Sequence, residues 1–339
     1  MRSNNRLILP GIVFCSIALC GFAVCQDDSA GGFRINDETV VTVSGFGDFV
    51  STIKNHSEEQ VIEVGQAEIG FESDLRDHLA ASLAIAYDVD RFTIGSFIID
   101  YTAAEASEES PLPLGMQALT IGGGQFDVPF GIGSQQYASA DRRLVSSPLV
   151  TVHTHDEWND IGGYARADAA WGNVTVFLSN GFDFERIGAN DEEVFVPSNI
   201  AAGGRIGLAP LAFFEIGTSY ADLLDRSGDK TMDMIGVDFT ATLQNLDMRA
   251  EFIRHRFSDP IYDVYEHEGY YVQATYIIGR ASITGRYDRF DSDKYTDGYL
   301  RRVCVGGALQ MGDYIEFRSE YQFNHDKDNA ALLQMVFMF

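Results

Sequence analysis

Apolar and polar residues alternate along most of the chain from residue 39 onwards. Residues 313–324 are the clearest case, because apolar side chains occupy most odd positions and charged or amide side chains most even ones. The segments 163–171, 231–244 and 280–290 repeat the pattern. Successive side chains of a β-strand point to opposite faces of the sheet, so this period of two predicts strands with one apolar and one polar face.

Segments of this kind recur throughout, and the connections between them differ in length in a regular way. We count about sixteen segments, at roughly 39–53, 61–73, 79–88, 91–101, 116–126, 160–171, 173–181, 199–209, 211–221, 231–244, 246–257, 267–279, 280–290, 299–311, 313–324 and 329–339. Short connections such as 172–173 and 279–280 alternate with long polar ones such as 182–198 and 291–298. Strands of about ten residues with short turns at one end and long loops at the other are typical of outer-membrane barrels.

We therefore predict an all-β fold, a transmembrane antiparallel β-barrel of about sixteen strands over residues 39–339. Fourteen strands are an alternative, because the segment 102–115 is long for a periplasmic turn. A secreted soluble sandwich or propeller is a second alternative, although its strands would follow one another more closely. The last segment ends on Phe339, which looks like the C-terminal signal that the barrel-assembly machinery recognises.

Residues 1–25 predict a secretory signal peptide. Arg2 and Arg6 precede a largely apolar stretch, and small residues fit a cleavage site after Cys25. A membrane anchor and a lipoprotein signal are the alternatives. Residues 26–38 would then form a short periplasmic segment before the barrel. Cys304 would be the only cysteine of the exported chain, which excludes an internal disulfide framework.

Charge narrows the class of protein further. The chain of 339 residues has 50 acidic residues against 24 Lys and Arg, a formal net charge of −26. This charge excludes a nucleic-acid-binding protein, which would need a basic surface to meet phosphates. Acidic disorder is disfavoured because aromatic residues make up 12% of the chain. Much of the acidity falls in the long connections, so we expect it at the outer mouth of the barrel.

The connection between about residues 127 and 159 is too long for a hairpin loop. It follows the fifth predicted strand and would therefore lie on the outer side, and long connections in compact proteins are usually functional. Since a barrel of this size encloses water, we predict that the segment folds inward and narrows the lumen. The charged groups expected nearest the narrowest point are Asp141, Arg142, Arg143, His153, His155, Asp156 and Glu157. An ordinary surface loop over the mouth is the alternative.

The polar faces of the strands, if they point inward, line the pore with charges of both signs. The predicted lining residues are Arg166, Asp168, Arg205, Glu215, Asp238, Arg249, Glu251, Arg286, Asp288, Glu316, Arg318 and Glu320. Charged groups in a narrow passage influence which ions pass, and a nearly balanced set would orient polar solutes without strongly excluding either sign. The alternative is that these groups only form ion pairs between neighbouring strands.

The segment that enters the long connection resembles a known family. Residues 123–131 read GGQFDVPFG, similar to the G-[KR]-F-x-x-P-F-G signature of porins of the phosphate-selective (O and P) type and of the related siderophore porins. The likeness covers about residues 60–182 and implies a Gram-negative outer-membrane porin, a homotrimer. Gln125 stands where the family has a basic residue, and the chain has only four Lys. Phosphate specificity is therefore not carried over.

The sequence thus predicts a passive, water-filled channel for small hydrophilic solutes and ions, surrounded by outer-membrane lipids, with a modest cation preference and no cofactor. A specific channel or receptor for an oxyanion or an iron chelate, with Asp141, Arg142 and Arg143 as its site, is the alternative. A barrel with a plugged lumen is a third. Enzyme activity is not expected, because no G-x-S-x-G, phosphate-binding-loop or HExxH pattern occurs.

His153 and His155 would lie on one face if their segment were a strand, which is a common arrangement of metal ligands. In an exposed loop beside acidic residues we expect both rings to be solvated, so no metal site is predicted.

Overall fold

The structure is a computed structural model of the chain. It describes residues 32–35, 39–54, 60–88, 91–107, 110–133, 138–156, 158–182, 184–187, 193–196, 198–257, 265–292, 299–325 and 327–339. The predicted signal peptide, residues 1–25, lies outside the described residues. Of the predicted periplasmic segment 26–38, the structure describes 32–35.

Strands make up most of the described chain. They are β1 (Gly32–Arg34), β2 (Val40–Lys54), β3 (Gln60–Arg76), β4 (Leu79–Asp88), β5 (Arg91–Glu105), β6 (Met116–Asp127), β7 (Asn159–Ala169), β8 (Gly172–Ser179), β9 (Phe184–Ile187), β10 (Glu193–Val196), β11 (Ile200–Leu211), β12 (Phe214–Leu224), β13 (Lys230–Leu243), β14 (Leu246–Phe257), β15 (Tyr265–Ile278), β16 (Ala281–Ser292), β17 (Tyr299–Met311), β18 (Ile315–Asn324) and β19 (Ala330–Met338). One α-helix, α1 (Leu149–Thr154), lies between β6 and β7. No described helix is long and apolar enough to cross a membrane.

Sixteen of these strands close into one antiparallel barrel. Each of β2–β8 and β11–β19 pairs with the next, and β19 pairs with β2. The seam is extended by Phe339, whose N–H and C=O pair with the C=O and N–H of Gly45 at 3.0 Å. The prediction of a sixteen-stranded barrel is confirmed, and the fourteen-stranded alternative is wrong. Outside this barrel, β1 pairs with the start of β2, and β9 and β10 form a hairpin between β8 and β11.

The barrel has an apolar exterior. On β13, Val237 is 44% exposed while its neighbour Asp238, which points inward, is 1% exposed. Val272 on β15 and Ile283 on β16 are exposed on the same outer face. Backbone amides in a closed barrel are all paired between strands, so such a surface can face hydrocarbon without leaving polar groups unsatisfied.

Connections at the two ends of the barrel differ, as the sequence predicts. At one end, which we call the turn end, strands are joined by tight turns such as 279–280 and 312–314. Gly279 and Gly312 take left-handed φ values of 60° and 76° there, which glycine adopts without strain. The connection 106–115 is the long exception at this end. The other end, which we call the loop end, carries the long connections.

The interior is not polar throughout, which corrects the expectation that the polar face of each strand points inward. Near the loop end of β13–β17 the inward residues are apolar, and they pack against apolar residues of the connection between β6 and β7. The wall contributes Met232, Met234, Ile253, Phe257, Phe290 and Leu300, and the connection contributes Val128, Phe130, Ile132, Val150 and Trp158. The apolar core of this protein therefore lies inside the barrel.

Candidate pore constriction

The connection between β6 and β7 crosses the inside of the barrel. We call residues 128–158 the constriction loop. Near its start, Gly131 N donates to Ser219 Oγ on β12 at 2.9 Å. Further along, Ser139 N donates to Gln66 Oε1 on β3 at 2.7 Å. The loop therefore folds into the lumen, as the sequence predicts, and the alternative of a surface loop over the mouth is wrong.

The Phe-Gly pair at the start of the loop fixes its entry into the barrel. Phe130 is fully buried in the interior apolar core. Gly131 has a φ of 63°, and a Cβ atom there would overlap the Glu251 carboxylate on β14. Only glycine combines this backbone conformation with so close an approach. The same carboxylate accepts a hydrogen bond from Ile132 N at 2.9 Å, so the pair docks the loop against β14.

Gln125, which stands where the resembling porins have a basic residue, does not face the lumen. In the β6–β7 ladder it is paired with Ile161, whose side chain is exposed on the outer face. Its Nε2 donates to Ile94 O and to Asn159 Oδ1, both at 2.8 Å. This departure from the signature therefore changes contacts between strands and leaves the charge of the passage unaltered.

Charged wall side chains hold the middle of the loop by its main chain. Arg286 Nη1 donates to Ser146 O at 2.7 Å, and Arg302 Nη2 donates to Ser147 O at 2.5 Å. Ser146 N in turn donates to Glu320 Oε2 at 2.8 Å. Hydrogen bonds to charged groups contribute about 1.5–3 kcal/mol each, so these contacts together hold the loop firmly against β16–β18.

Two further wall residues act in the same way. Arg318 donates to the carbonyl oxygens of Ser139 and Ala140, the latter at 2.9 Å. Asp288 Oδ1 accepts a hydrogen bond from Leu149 N at 3.2 Å. The five wall residues together form what we call the backbone clamp: Arg286, Asp288, Arg302, Arg318 and Glu320.

The clamp arginines are also paired with carboxylates inside the wall. Asp288 Oδ2 accepts from Arg286 Nε at 2.9 Å and from Arg302 Nε at 3.1 Å. On the neighbouring part of the wall, Arg205 forms an ion pair of 2.6 Å with Asp238. The twelve predicted lining residues all lie on the interior face, but seven are buried: Arg205, Asp238, Glu251, Arg286, Asp288, Arg318 and Glu320. Along this wall, ion pairs between and within strands and hydrogen bonds to the constriction loop together account for the buried charges.

The predicted constriction residues at 141–143 lie on the loop where it passes β3 and β14. Asp141 is exposed at the end of the short 3₁₀ turn Ser139–Asp141. Its carboxylate lies close enough to Glu68 on β3 to repel that group's charge. Arg143 Nε is 3.6 Å from Asp247 Oδ2 on β14. Burial raises the pKa of Asp156, and the nearby positive charge of Arg142 partly opposes this effect.

His153 and His155 lie in and directly after α1, not on a strand. The expectation that both rings are solvated is wrong for His155, which is buried. His153 stacks on Phe290 of β16 with ring centroids 5.0 Å apart. His155 is 4% exposed and packs against Phe130, and burial lowers its pKa to about 4. Glu157 lies outside the described residues. Within the described chain, no group of three or more His, Cys, Asp or Glu side chains could hold a metal ion.

Two further histidines, which the sequence reasoning did not place here, lie beside the loop. His255 on β14 and His267 on β15 are directly opposite each other, and both point inward. Phe257 packs between them, with centroids 5.9 Å and 5.1 Å from the two rings. The ring of His267 also packs against that of Phe290, with the ring centroids 5.8 Å apart. The only sequence signal is their inward parity on adjacent strands.

The interior wall formed by β3–β7 has a different composition. Its inward positions are mostly small, such as Gly70 and Ala84, and the charged groups among them are mainly acidic. They include Glu68, Glu72, Asp74, Asp100 and Asp168, with Arg166. Arg166 and Asp168 pair with each other at 2.7 Å with side chains 52% and 33% exposed. We call these six residues the open wall; near the turn end, a cavity of about 540 Å³ is lined by several of them.

Solved structures with the same architecture include proteins of the outer membrane, among them porins. OmpF of Salmonella typhi, in complex with daunomycin, superimposes with a TM-score of 0.66 at 11% identity, over 91% of this chain and 100% of that one. OmpT of Vibrio cholerae, an outer membrane protein in its trimer form, superimposes with a TM-score of 0.65 at 11% identity, over 89% of this chain and 100% of that one. The anion-selective porin of Comamonas acidovorans superimposes with a TM-score of 0.63 at 12% identity, over 89% of this chain and 100% of that one.

The chain has the porin fold. At these identities the likeness concerns the fold alone. No family model matches the sequence, and no curated protein matches it. The resemblance to phosphate-selective and siderophore porins therefore rests on the segment around residues 123–131, and the more specific family stays a prediction.

Proposed function

We propose that this protein is a porin of the Gram-negative outer membrane, a water-filled channel for the passive diffusion of small hydrophilic solutes and ions. The observation that carries the proposal is the constriction loop, which crosses the inside of a closed sixteen-stranded barrel with an apolar exterior. A closed barrel can span a membrane, and a loop in its lumen narrows the passage without sealing it. The loop end would face outward and the turn end the periplasm.

The passage is proposed to prefer cations modestly. The arginines on the loop side of the lumen, such as Arg286 and Arg318, are buried and bound to carboxylates and loop carbonyls. Opposite them, the open wall presents mainly carboxylates, and Glu72 is exposed. Charges at a narrow point with low-dielectric walls act strongly on passing ions, so cations should be enriched there. Because an anion-selective porin has a similar fold, the fold by itself does not determine whether the passage prefers cations or anions.

Planar-bilayer recording across a KCl gradient tests both parts. We expect discrete conductance steps and a reversal potential of the sign that cation preference gives. Glu68→Gln combined with Glu72→Gln should move the reversal potential toward zero, whereas Asp313→Asn, which neutralises an acid in a turn outside the passage, should leave it unchanged. An absence of conductance steps would contradict the channel itself. A wild-type reversal potential of anionic sign would contradict only the preference.

The alternative of a specific oxyanion or iron-chelate site at Asp141, Arg142 and Arg143 gains no support from the geometry. Arg143 lies beside Asp247 and Arg142 lies near Asp156, so each of the two arginines already has an acidic neighbour. An Arg142→Ala/Arg143→Ala double variant with altered uptake of a phosphate or iron chelate and unaltered ion selectivity would revive this alternative.

We further propose that the protein is a homotrimer surrounded by outer-membrane lipids. One similar structure is described as a trimer form, and the exposed apolar exterior suits both lipid and subunit contacts. The C-terminal strand that ends at Phe339 is proposed to be the segment that the barrel-assembly machinery recognises. Chemical cross-linking in outer-membrane fragments should give a ladder that ends at three subunits, and a ladder that ends at one would exclude the trimer.

A further inference from the structure

We propose that the arginines of the backbone clamp are positioning residues, which set the width of the passage by holding the constriction loop, and that they do not select ions. This inference rests on the proposed channel function and deepens it. It assigns different roles to two sets of charged residues that the sequence makes equivalent, namely the clamp and the open wall.

The bonding of the clamp arginines supports a positioning role. Arg286 donates to Ser146 O, Ser146 Oγ and Ser147 O, and also to Asp288. Its side chain is 2% exposed, and that of Asp288 is fully buried. A guanidinium whose donors are directed to the loop and whose charge is matched by an adjacent carboxylate exerts little field on the passage.

The partners of these bonds lie on the main chain of the loop. Arg302 and Arg318, like Arg286, donate to carbonyl oxygens of residues 139–147. Planar guanidinium groups fix carbonyl oxygens in direction as well as distance. Release of these contacts would free the middle of the loop, while its two ends stayed attached to β6 and β7. The pore would then become wider without a change in the charges of the open wall.

Cys304 offers a direct measure of loop release. It is fully buried, and its Sγ lies 3.6 Å from Arg286 Nη2, beneath the segment that the clamp holds. A thiol that becomes accessible only when the loop opens reports the population of the open state. The rate at which a water-soluble maleimide labels Cys304 therefore measures attachment of the loop independently of conductance. A Cys304→Ala protein gives the background from Cys15, Cys20 and Cys25.

The experiment compares Arg286→Gln and Ser146→Ala with Arg166→Gln in the full-length protein. Arg286→Gln should raise the labelling rate of Cys304 at least about tenfold and admit larger neutral sugars in liposome swelling, with the reversal potential unchanged. Ser146→Ala removes hydrogen bonds to Arg286 and Glu320 but keeps every wall charge. It should also raise the labelling rate of Cys304 and admit larger sugars, but by less than Arg286→Gln does. The matched control Arg166→Gln should shift the reversal potential and leave labelling unchanged.

Two outcomes would overturn the inference. One is a shift of reversal potential in Arg286→Gln as large as in Arg166→Gln, with Cys304 still protected. The other is unaltered labelling in both Arg286→Gln and Ser146→Ala, in proteins whose heat-modifiable gel mobility shows a closed barrel. If the wild-type protein formed no channel, the proposed function would fail, and the labelling results would still show separately whether the clamp holds the loop.

Discussion

His255 on β14 and His267 on β15 lie directly opposite each other, and both point into the barrel toward the constriction loop. With His153 and His155 they bring four of the seven histidines of the chain to one interface between loop and wall. Several charged groups lie on the elements packed together here, and Asp156 and Arg142 are on the loop. The charged wall residues that point inward include Glu251, Arg286 and Asp288, and those that point outward include Arg254, Arg256, Glu266 and Glu268. The interface is therefore expected to respond to pH.

Acid should loosen the loop through His155. Burial lowers its pKa from 6.5 to about 4, so the docked loop keeps this ring neutral, whereas a released loop would let it bind a proton near pH 6.5. Docking therefore loses stability as the pH falls from about 6.5 to about 4, by roughly 3 kcal/mol in all. The emission maximum of Trp158, which is buried beside Phe130, should move to longer wavelength over this range in a Trp171→Phe background.

The control for this titration uses two histidine substitutions. His155→Phe should weaken the spectral change, because the ring that replaces histidine cannot be protonated. His325→Phe alters a histidine that stacks on Tyr299 near the loop end, away from the constriction loop, and should leave the change intact. A titration that is identical in all three proteins would show that His155 plays no part in it.

Gly131→Ala should detach the start of the loop without opening the barrel. The new Cβ would overlap the Glu251 carboxylate and would occupy a left-handed backbone conformation. We expect a loss of about 1–3 kcal/mol in docking of the loop, seen as faster labelling of Cys304 with unchanged heat-modifiable mobility. Gly228→Ala is the matched control, because Gly228 has a φ of 85° but no heavy atom near its Cβ position. Equal labelling in both variants would contradict the close approach.

Phe130→Ala should uncouple the loop from the wall more strongly. Phe130 is fully buried between His155 and Trp158, and removal of a buried phenylalanine ring typically costs about 3–5 kcal/mol. In urea, the fluorescence transition of Trp158 should occur at a lower concentration than the loss of barrel mobility on gels. Coincident transitions would mean that loop and barrel unfold as one unit.

Deletion of Phe339 should reduce assembly of the barrel, because it removes the backbone pair with Gly45 at the seam. Phe339→Ala keeps that pair and removes only the aromatic ring. If the seam matters most, the deletion should lower the yield of heat-modifiable protein much more than the substitution does. Equal losses would indicate that the assembly machinery recognises the ring itself.

The strands could be predicted from the sequence because alternation follows directly from strand geometry. All sixteen predicted segments correspond to barrel strands, and 79–88, 246–257 and 299–311 agree to the residue. Alternation does not reveal what an inward side chain meets. Met232 and Phe257 point inward because the constriction loop supplies apolar partners there. The local sequence of β13 and β14 does not indicate these partners, because the loop lies more than seventy residues earlier in the chain.

The site was predictable in location and only partly in detail. Length and parity placed the loop in the lumen, but His153 and His155 were expected to be solvated in an exposed loop. Instead, Pro148 precedes a helical turn whose Val150 and Thr154 are buried, and His155 directly after it is buried as well. The clamp had no sequence signal of its own. Arg286 binds carbonyl oxygens, which every residue carries, so nothing in the composition of residues 139–147 marks them as its partners.

Attachment through the main chain separates the shape of the passage from its chemistry. The clamp holds carbonyl and amide groups, and of the side chains in residues 139–147 only that of Ser146 shares in those bonds. Substitutions at the positions of this stretch that are not buried, such as Asp141, Arg142 and Arg143, can therefore change charge, size or polarity at the passage while the frame that supports it stays the same. A gene that encodes this barrel could acquire a new solute range by point mutation, with no need to rebuild the fold.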